Sequence, residues 1–123
     1  MKFYKCPICG KIIAMVEERA VPTICCGRPM EELPVNTQDG AHEKHLPVFE
    51  VKDQIVSVKV GEVAHPMLDA HYIQWIALET NIGNQRKVLH PGEAPEAKFA
   101  LLEGEKVVAV YEYCNLHGLY KSE

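Results

Sequence analysis

Two β-rich runs in the middle of the sequence flank a two-residue break: Val48-Phe49-Glu50-Val51-Lys52 leads into Asp53-Gln54, and Ile55-Val56-Ser57-Val58-Lys59-Val60 follows. Runs of β-branched and aromatic residues around a short polar break predict a β-hairpin. More runs of bulky residues follow at short intervals, at 71–80, 86–90, 98–102 and 106–113. In the first of these, Ile73, Trp75 and Ala77 are expected on one face of an extended strand.

Short turn signals separate these runs, and no segment shows sustained helical periodicity. The separators are Gly83-Asn84, Pro91-Gly92 and Glu103-Gly104-Glu105. Six or seven short strands in about 85 residues predict an antiparallel β-sandwich of immunoglobulin-like architecture for residues 37–123. Because this part contains a single cysteine, Cys114, the sandwich would lack the disulfide of antibody domains.

The N-terminal part has a different character, because four of the five cysteines lie in the first 26 residues. The stretch from Leu33 to Gly40 contains Pro, Asn, Asp and Gly, which is typical of a linker. We therefore predict two domains, residues 1–36 and residues 37–123. The first is too short to bury an adequate apolar core. We expect a mainly β protein whose small N-terminal domain is held together by a metal.

Composition narrows the classes of partner. The chain of 123 residues has a net charge of -4 and a pI near 5.9, and its basic residues are scattered. A nucleic-acid partner is not expected, because such a surface needs clustered Lys and Arg. No run of about 18 apolar residues predicts a membrane span, and the N-terminus does not resemble a signal peptide. We expect a cytoplasmic protein, where cysteines stay reduced and serve metal or redox chemistry.

The first cysteine cluster combines Cys6-Pro7-Ile8-Cys9-Gly10 with Cys25-Cys26-Gly27. Four thiolates on two short loops predict a tetrahedral all-sulfur site for zinc or a single iron. A purely structural zinc ribbon is the common alternative. Zinc ribbons usually space the second pair as C-x-x-C, whereas Cys25 and Cys26 are adjacent. Adjacent side chains diverge, so we expect a distorted tetrahedron.

A second set of candidates lies in three motifs and one isolated residue. These are Glu43-Lys44-His45-Leu46-Pro47, His65-Pro66-Met67, His71, and Cys114-Asn115-Leu116-His117-Gly118. Taken singly, a lone histidine is usually a surface or hydrogen-bonded residue, and a lone cysteine is usually a small buried apolar residue. Together they fall at predicted strand ends and loops, where a sandwich displays functional residues. Four imidazoles and one thiolate could therefore meet at one end of the sandwich.

These motifs resemble a known family. The spacing C-x2-C-x15-C-C is similar to desulforedoxin and to the N-terminal domain of desulfoferrodoxins, whose metal is iron. The motifs E-K-H-x-P, H-P-M-x-x-x-H and C-N-x-H-G resemble the superoxide reductase domain. Order and spacing match over almost the whole chain, so the sequence resembles the desulfoferrodoxin family, the two-iron class of superoxide reductases.

The resemblance implies two irons per chain and a role for each candidate residue. One iron would be held by Cys6, Cys9, Cys25 and Cys26, and the other by equatorial His45, His65, His71 and His117 with axial Cys114. Glu43 would occupy the sixth position in the oxidised state, and Lys44 would lie beside the open position as a catalytic residue. The remaining histidines, His42 and His90, match no ligand and are interpreted as surface residues.

The resemblance also implies an activity and partners. The enzyme would reduce superoxide by one electron to hydrogen peroxide, with rubredoxin as electron donor, and would be a homodimer. A hypothesis from another class stays open, namely a non-catalytic metal-binding or electron-transfer protein with two zinc or iron sites.

Overall fold

A computed structural model describes residues 1–36 and 42–123; the side chains of His42 and Glu43 are also outside the description. The chain divides into two compact units, Met1–Pro34 and Val35–Glu123. Within the described residues, no helix has the length and apolar character needed to cross a membrane.

The first unit consists of short strands joined by turns. They are β1 (Phe3–Lys5), β2 (Ile12–Ala14), β3 (Ile24–Cys25), β4 (Arg28–Pro29) and β5 (Glu31–Glu32). β1 lies between β2 and β5 in one antiparallel sheet, while β3 pairs with β4 as a separate hairpin. Its buried apolar residues in the described chain are Phe3, Cys6 and Met30. So small a core cannot account for a stable fold, which agrees with the expectation that a metal holds this unit together.

In its described residues, the second unit is a sandwich of seven antiparallel strands, preceded by a single helical turn. Its elements are α1 (His42–His45), β6 (Pro47–Lys52), β7 (Ile55–Val60), β8 (Ile73–Thr80), β9 (Asn84–Val88), β10 (Glu96–Ala100), β11 (Val107–Cys114) and β12 (Gly118–Ser122). One sheet has the order β10-β7-β6 and the other β12-β11-β8-β9. The predicted immunoglobulin-like, mainly β architecture is confirmed.

The predicted hairpin is β6–β7, in which Lys52 pairs with Ile55 across the two-residue turn. Asp53 and Gln54 both adopt positive φ, 51° and 63°. Two consecutive residues with positive φ match the twist of the flanking strands, as in type I′ turns. β7 then alternates between buried and more exposed residues, so that Val56, Val58 and Val60 are completely buried. This alternation is the period of a strand with one face on the core.

The expected face for Ile73, Trp75 and Ala77 is wrong at its first residue. Ile73 packs in the core cluster with residues of both sheets, whereas Trp75 stacks on Tyr113 at 5.6 Å. The reason is an irregularity in the β8–β11 ladder, where Tyr113 pairs with Trp75 but the next residue, Cys114, pairs with Ile73. The extra residue on β8 changes the alternation of side chains. Cys114, at the end of β11, lies in the core cluster on the same strand face as Val110.

Candidate metal centres

The four N-terminal cysteines converge although two loops supply them. Cys6 follows β1 and Cys9 lies in the next turn, while Cys25 ends β3 and Cys26 opens the β3–β4 turn. Their sulfur atoms all lie within 4.8 Å of one another. The Cys9 and Cys25 sulfurs are 3.7 Å apart, and those of Cys25 and Cys26 are 4.0 Å apart. The donor set suits a tetrahedral zinc or iron ion.

The backbone shows how adjacent cysteines can serve one centre. Cys26 has a φ of 54°, in the left-handed region that residues other than glycine rarely adopt. In an ordinary extended conformation the side chains of Cys25 and Cys26 would point to opposite sides. The left-handed turn at Cys26, followed by Gly27 with a φ of 73°, brings the second sulfur back to the same side.

Hydrogen bonds and neighbouring sulfurs move the pKa values of these thiols in opposite directions. The backbone N–H groups of Cys9 and Ile8 both donate to the Cys6 sulfur at 3.4 Å. Mainly through the Cys9 N–H, they lower the pKa of Cys6 to about 6. Its thiol contact with Cys9 instead raises the pKa of Cys25 to about 12. Four thiolates therefore require a bound cation to ionise together, which fits a metal at this site.

The second cluster contains four imidazole rings arranged as a square. Neighbouring ring centroids are separated by 4.6 Å (His45–His65), 4.7 Å (His65–His71), 5.1 Å (His71–His117) and 4.7 Å (His45–His117). The diagonal from the His45 centroid to the His71 centroid is 6.5 Å, close to the length expected for a square with sides of this size. Neighbouring rings are steeply inclined, by 63–80°. This arrangement fits four equatorial ligands around one metal ion.

The fifth donor of this cluster is Cys114, whose sulfur lies 3.8 Å from Nδ1 of His117. The five donor atoms lie within 4.8 Å of one another. Since the imidazoles occupy the corners of the square, the thiol must lie off its plane. Cys114 is completely buried, whereas His71 and His117 are partly exposed.

Different elements supply the five donors. His45 ends α1, His65 lies in the loop after β7, and His71 lies just before β8. Cys114 ends β11, and His117 lies in the turn that leads to β12. The site is therefore assembled at strand ends, as a β-sandwich commonly displays functional residues.

Hydrogen bonding indicates which imidazole nitrogens face the metal. Nδ1 of His65 lies 2.7 Å from the carbonyl oxygen of Pro66, which can only accept, so Nδ1 carries the proton. Nε2 of His65 and Nε2 of His71 are buried and have no hydrogen-bond partner in the described part of the chain. Buried polar atoms are normally satisfied. A metal ion at the centre of the square would satisfy both nitrogens.

Burial lowers the pKa of two imidazoles of this cluster and raises the pKa of its thiol. Removal from water lowers the pKa of His65 to about 4 and also lowers the pKa of His71. Burial raises the pKa of the Cys114 thiol, and the backbone N–H groups of His117 and Leu116 partly offset this by donating to its sulfur. His65 and His71 are thus neutral at pH 7, as metal ligands must be.

The other predicted residues fall as follows. Lys44 is exposed, and its charge is close enough to contribute to the lowered pKa of both His65 and His71, after burial and neighbouring histidines. Glu43 lies in α1, but its side chain and that of His42 are outside the described residues. His90 is exposed, pairs with Glu93 at 2.7 Å, and belongs to neither cluster.

Sequence reasoning missed three residues that support the histidine–cysteine cluster. Glu112 is completely buried with its carboxylate 3.9 Å from Nδ1 of His45. Asn115 hydrogen-bonds to both neighbours of His71 along the chain. Gly61, with a φ of 84°, leaves no room for a side chain against the carbonyl oxygen of Lys44. Asn115 stood inside a recognised motif, whereas nothing in the sequence distinguishes Glu112 or Gly61 from ordinary strand and turn residues.

The fold and the two donor sets define a two-centre metalloprotein, in which a small cysteine-rich unit precedes a β-sandwich with a histidine–cysteine centre. The desulfoferrodoxin family model matches residues 37–123, and that of the desulfoferrodoxin N-terminal domain matches residues 1–33. The chain belongs to the desulfoferrodoxin family.

Individual relatives match over almost their whole length. The desulfoferrodoxin of Syntrophotalea carbinolica is 49% identical over 123 residues, which cover 100% of this chain and 96% of the relative. The desulfoferrodoxin of Nitratidesulfovibrio vulgaris is 46% identical over 122 residues, which cover 99% of this chain and 95% of the relative. The crystal structure of the superoxide reductase from Treponema pallidum has a TM-score of 0.84 and 40% identity, over 99% of this chain and 98% of that one.

Proposed function

We propose that this protein is a superoxide reductase that converts superoxide, one electron and two protons into hydrogen peroxide at the histidine–cysteine centre. The square of four imidazoles with a buried thiol carries the proposal, because these five donors would hold an iron and leave it one position for a substrate. The likeness to superoxide reductases of known structure supports it.

The donor set fits iron at both centres, two per chain. Cys6, Cys9, Cys25 and Cys26 would hold one iron, and the other would be held by His45, His65, His71, His117 and Cys114. Bound at the second centre, iron supplies the electron by cycling between its ferrous and ferric states. The Cys114 thiolate is a strongly donating ligand. The N–H groups of Leu116 and His117 hold its sulfur in place and moderate its charge.

Lys44 would act on the substrate as an exposed positive charge, one residue before the predicted ligand His45. Superoxide is an anion that approaches a protein of net charge -4, so a local cation raises its encounter rate. Water ordered by the ammonium group would provide the protons for the peroxide. Glu43 keeps the role implied by the sequence resemblance, in which its carboxylate would bind the oxidised iron.

Partners and location complete the proposal. Rubredoxin is the proposed electron donor, and exposed Leu68 and Leu116, next to ligand segments, provide an apolar surface for docking. A homodimer would cover the free edge of β6, where Val48 and Val51 are about half exposed. All five cysteines are free, which supports a reducing, cytoplasmic location. Residues 1–36 form the proposed four-cysteine domain and residues 37–123 the catalytic domain.

The experiment is pulse radiolysis of the reduced, iron-loaded protein with measurement of both products. We expect second-order oxidation of the histidine–cysteine iron and one hydrogen peroxide per superoxide, without release of oxygen. Lys44→Ala should slow this reaction about tenfold and weaken its salt dependence. Lys52→Ala is the matched control, because Lys52 is exposed at the far end of β6, about 20 Å along the strand.

Two results would contradict the proposal. Stable oxidation without peroxide, or no fast reaction at all, would favour the electron-transfer alternative. Equal rates for Lys44→Ala and the wild type would remove Lys44 from the mechanism and leave the reaction itself standing.

A further inference from the structure

Asn115 connects the two segments that carry three of the five donors. It lies between Cys114 and His117 in the chain. Its Nδ2 donates to the carbonyl oxygen of Ala70 at 3.0 Å, and its Oδ1 accepts from the backbone N–H of Tyr72 at 3.0 Å. Its own backbone N–H donates to the Tyr72 carbonyl oxygen at 3.2 Å. These three hydrogen bonds hold the residues immediately before and after His71.

The segment that carries His71 has little other regular structure. His71 precedes β8 and makes a short two-bond bridge with Leu68, in which each backbone N–H donates to the other residue's carbonyl oxygen at 2.9–3.0 Å. This bridge closes the turn on itself and does not join it to the Cys114 strand end. Ile73, two residues after His71, pairs with Cys114 in the β8–β11 ladder, and Asn115 extends this join to the two peptide groups that set the position of the His71 backbone.

The two side-chain hydrogen bonds of Asn115 require a particular combination of donor and acceptor. The clamp needs one donor and one acceptor at the end of a short side chain, because the Ala70 carbonyl only accepts and the Tyr72 N–H only donates. Asparagine provides both at the observed distances. Leucine has nearly the same shape and provides neither, which separates hydrogen bonding from packing.

We propose that Asn115 is a positioning residue of the histidine–cysteine centre, which fixes His71 relative to Cys114 and His117. The proposal rests on the proposed assignment of these residues as ligands, and it does not depend on reactivity toward superoxide. When the clamp holds the turn at 68–72 in its ligand-binding conformation, metal binding does not have to order that turn. Without the clamp, that conformational entropy opposes metal binding.

The test measures metal retention in the full-length, iron-loaded protein. Release of Fe(II) to excess bipyridine is followed together with the thiolate charge-transfer band of the Cys114 centre. Asn115→Ala and Asn115→Leu should both release this iron about ten times faster or more and shift the band, within the range observed for residues that orient metal ligands. The four-cysteine iron should be released at the wild-type rate.

Asn81→Ala is the matched control. Oδ1 of Asn81 accepts from the backbone N–H of Lys106 at 2.9 Å, and its own N–H donates to the Lys106 carbonyl oxygen at 3.1 Å. It is a similar clamp in the β8–β9 turn, with no ligand beside it. Asn81→Ala should lower the thermal midpoint and leave iron release and the band unchanged.

His71→Ala separates this proposal from the ligand assignment. It should accelerate iron release at least as much as Asn115→Ala. If it has no effect, the assignment of His71 is wrong and the positioning role falls with it. If His71→Ala accelerates release while Asn115→Ala and Asn115→Leu behave as wild type, the ligand set stands and the positioning role is refuted. Equal acceleration by Asn81→Ala would also refute it, because the effect would then be general loosening.

Discussion

The Oε1 atom of Glu112 lies 3.9 Å from Nδ1 of His45, and both side chains are almost completely removed from solvent. The distance exceeds that of a hydrogen bond but is short enough for an electrostatic interaction. Neither carboxylate oxygen of Glu112 has a hydrogen-bond partner among the described residues, and burial raises the pKa of this carboxyl group well above its usual range. Burying this carboxyl group therefore costs folding free energy. Because it lies beside the predicted iron ligand His45, we expect it to help orient that ligand.

We expect Glu112→Met to change metal affinity and stability in opposite directions. Loss of a buried carboxyl group without hydrogen bonds should stabilise the metal-free protein by about 1–3 kcal/mol. Loss of the group that orients His45 should weaken metal binding at the histidine–cysteine centre about 10- to 100-fold. Urea denaturation of the metal-free protein and chelator competition measure the two effects. Glu50→Met, at an exposed position of β6, should change neither. Equal metal affinity in Glu112→Met and wild type would make the contact with His45 incidental.

Gly61→Ala should disturb the site through the backbone. A Cβ atom at Gly61 would lie 2.5 Å from the carbonyl oxygens of Lys44 and Val63, so the segment that carries His45 must move. Gly104 is the matched control, since its φ of 83° is nearly the same and nothing lies within 4 Å of an added Cβ. Both alanines should cost about 1–3 kcal/mol for the left-handed backbone. Only Gly61→Ala should also lower iron affinity at the histidine–cysteine centre. The same affinity in both variants would show that the Lys44 segment adjusts without moving His45.

Cys9→Ser should unfold the first unit and spare the second. The first unit buries few apolar residues, so its metal supplies most of its folding free energy. We expect one iron per chain in this variant, loss of amide hydrogen-exchange protection in residues 1–34, and normal protection in residues 35–123. The remaining iron should still react with superoxide in a single turnover. Cys114→Ser should show the converse pattern of iron loss. If residues 1–34 stayed protected from hydrogen exchange without iron, the small apolar core would be sufficient to keep the first unit folded.

The pH dependence of stability at alkaline pH should carry a contribution from Tyr111. Burial, together with a 2.9 Å hydrogen bond from its hydroxyl to Glu79, raises the pKa of Tyr111. The unfolded chain releases this proton near the ordinary tyrosine pKa of about 10, while the folded protein retains it. The stabilisation is therefore complete below about pH 10 and decreases as pH rises toward the folded-state pKa. Denaturation between pH 8 and 11 should show a steeper decline for wild type than for Tyr111→Phe. Parallel curves would show that Tyr111 ionises equally in both states.

Local patterns in the sequence were sufficient to locate β6 to β11 and the hairpin turn, and the resemblance of the motifs to the desulfoferrodoxin family supplied the candidate ligands. The alternation of apolar and polar residues in Ile55–Val60 indicates a strand with one buried face. Asp53-Gln54 marks the turn, because both residues adopt positive φ and leave the strand conformation. Cysteine and histidine are rare ligand-forming residues, so their spacing carries information without knowledge of the fold. All nine predicted ligand residues fall into the two observed clusters.

Tertiary structure alone decided which other groups serve the site. Ile73 joins the core, against expectation, because an irregular pairing with β11 changes the alternation of β8, and that pairing depends on a partner strand more than thirty residues away in sequence. Glu112 and Gly61 have common residue types in common local patterns, and only the approach of His45 and Lys44 in three dimensions gives them a role. The sequence by itself determined the candidate donors, because chemical identity is a local property of the chain. The geometry that orients those donors depends on long-range contacts, which no local pattern records.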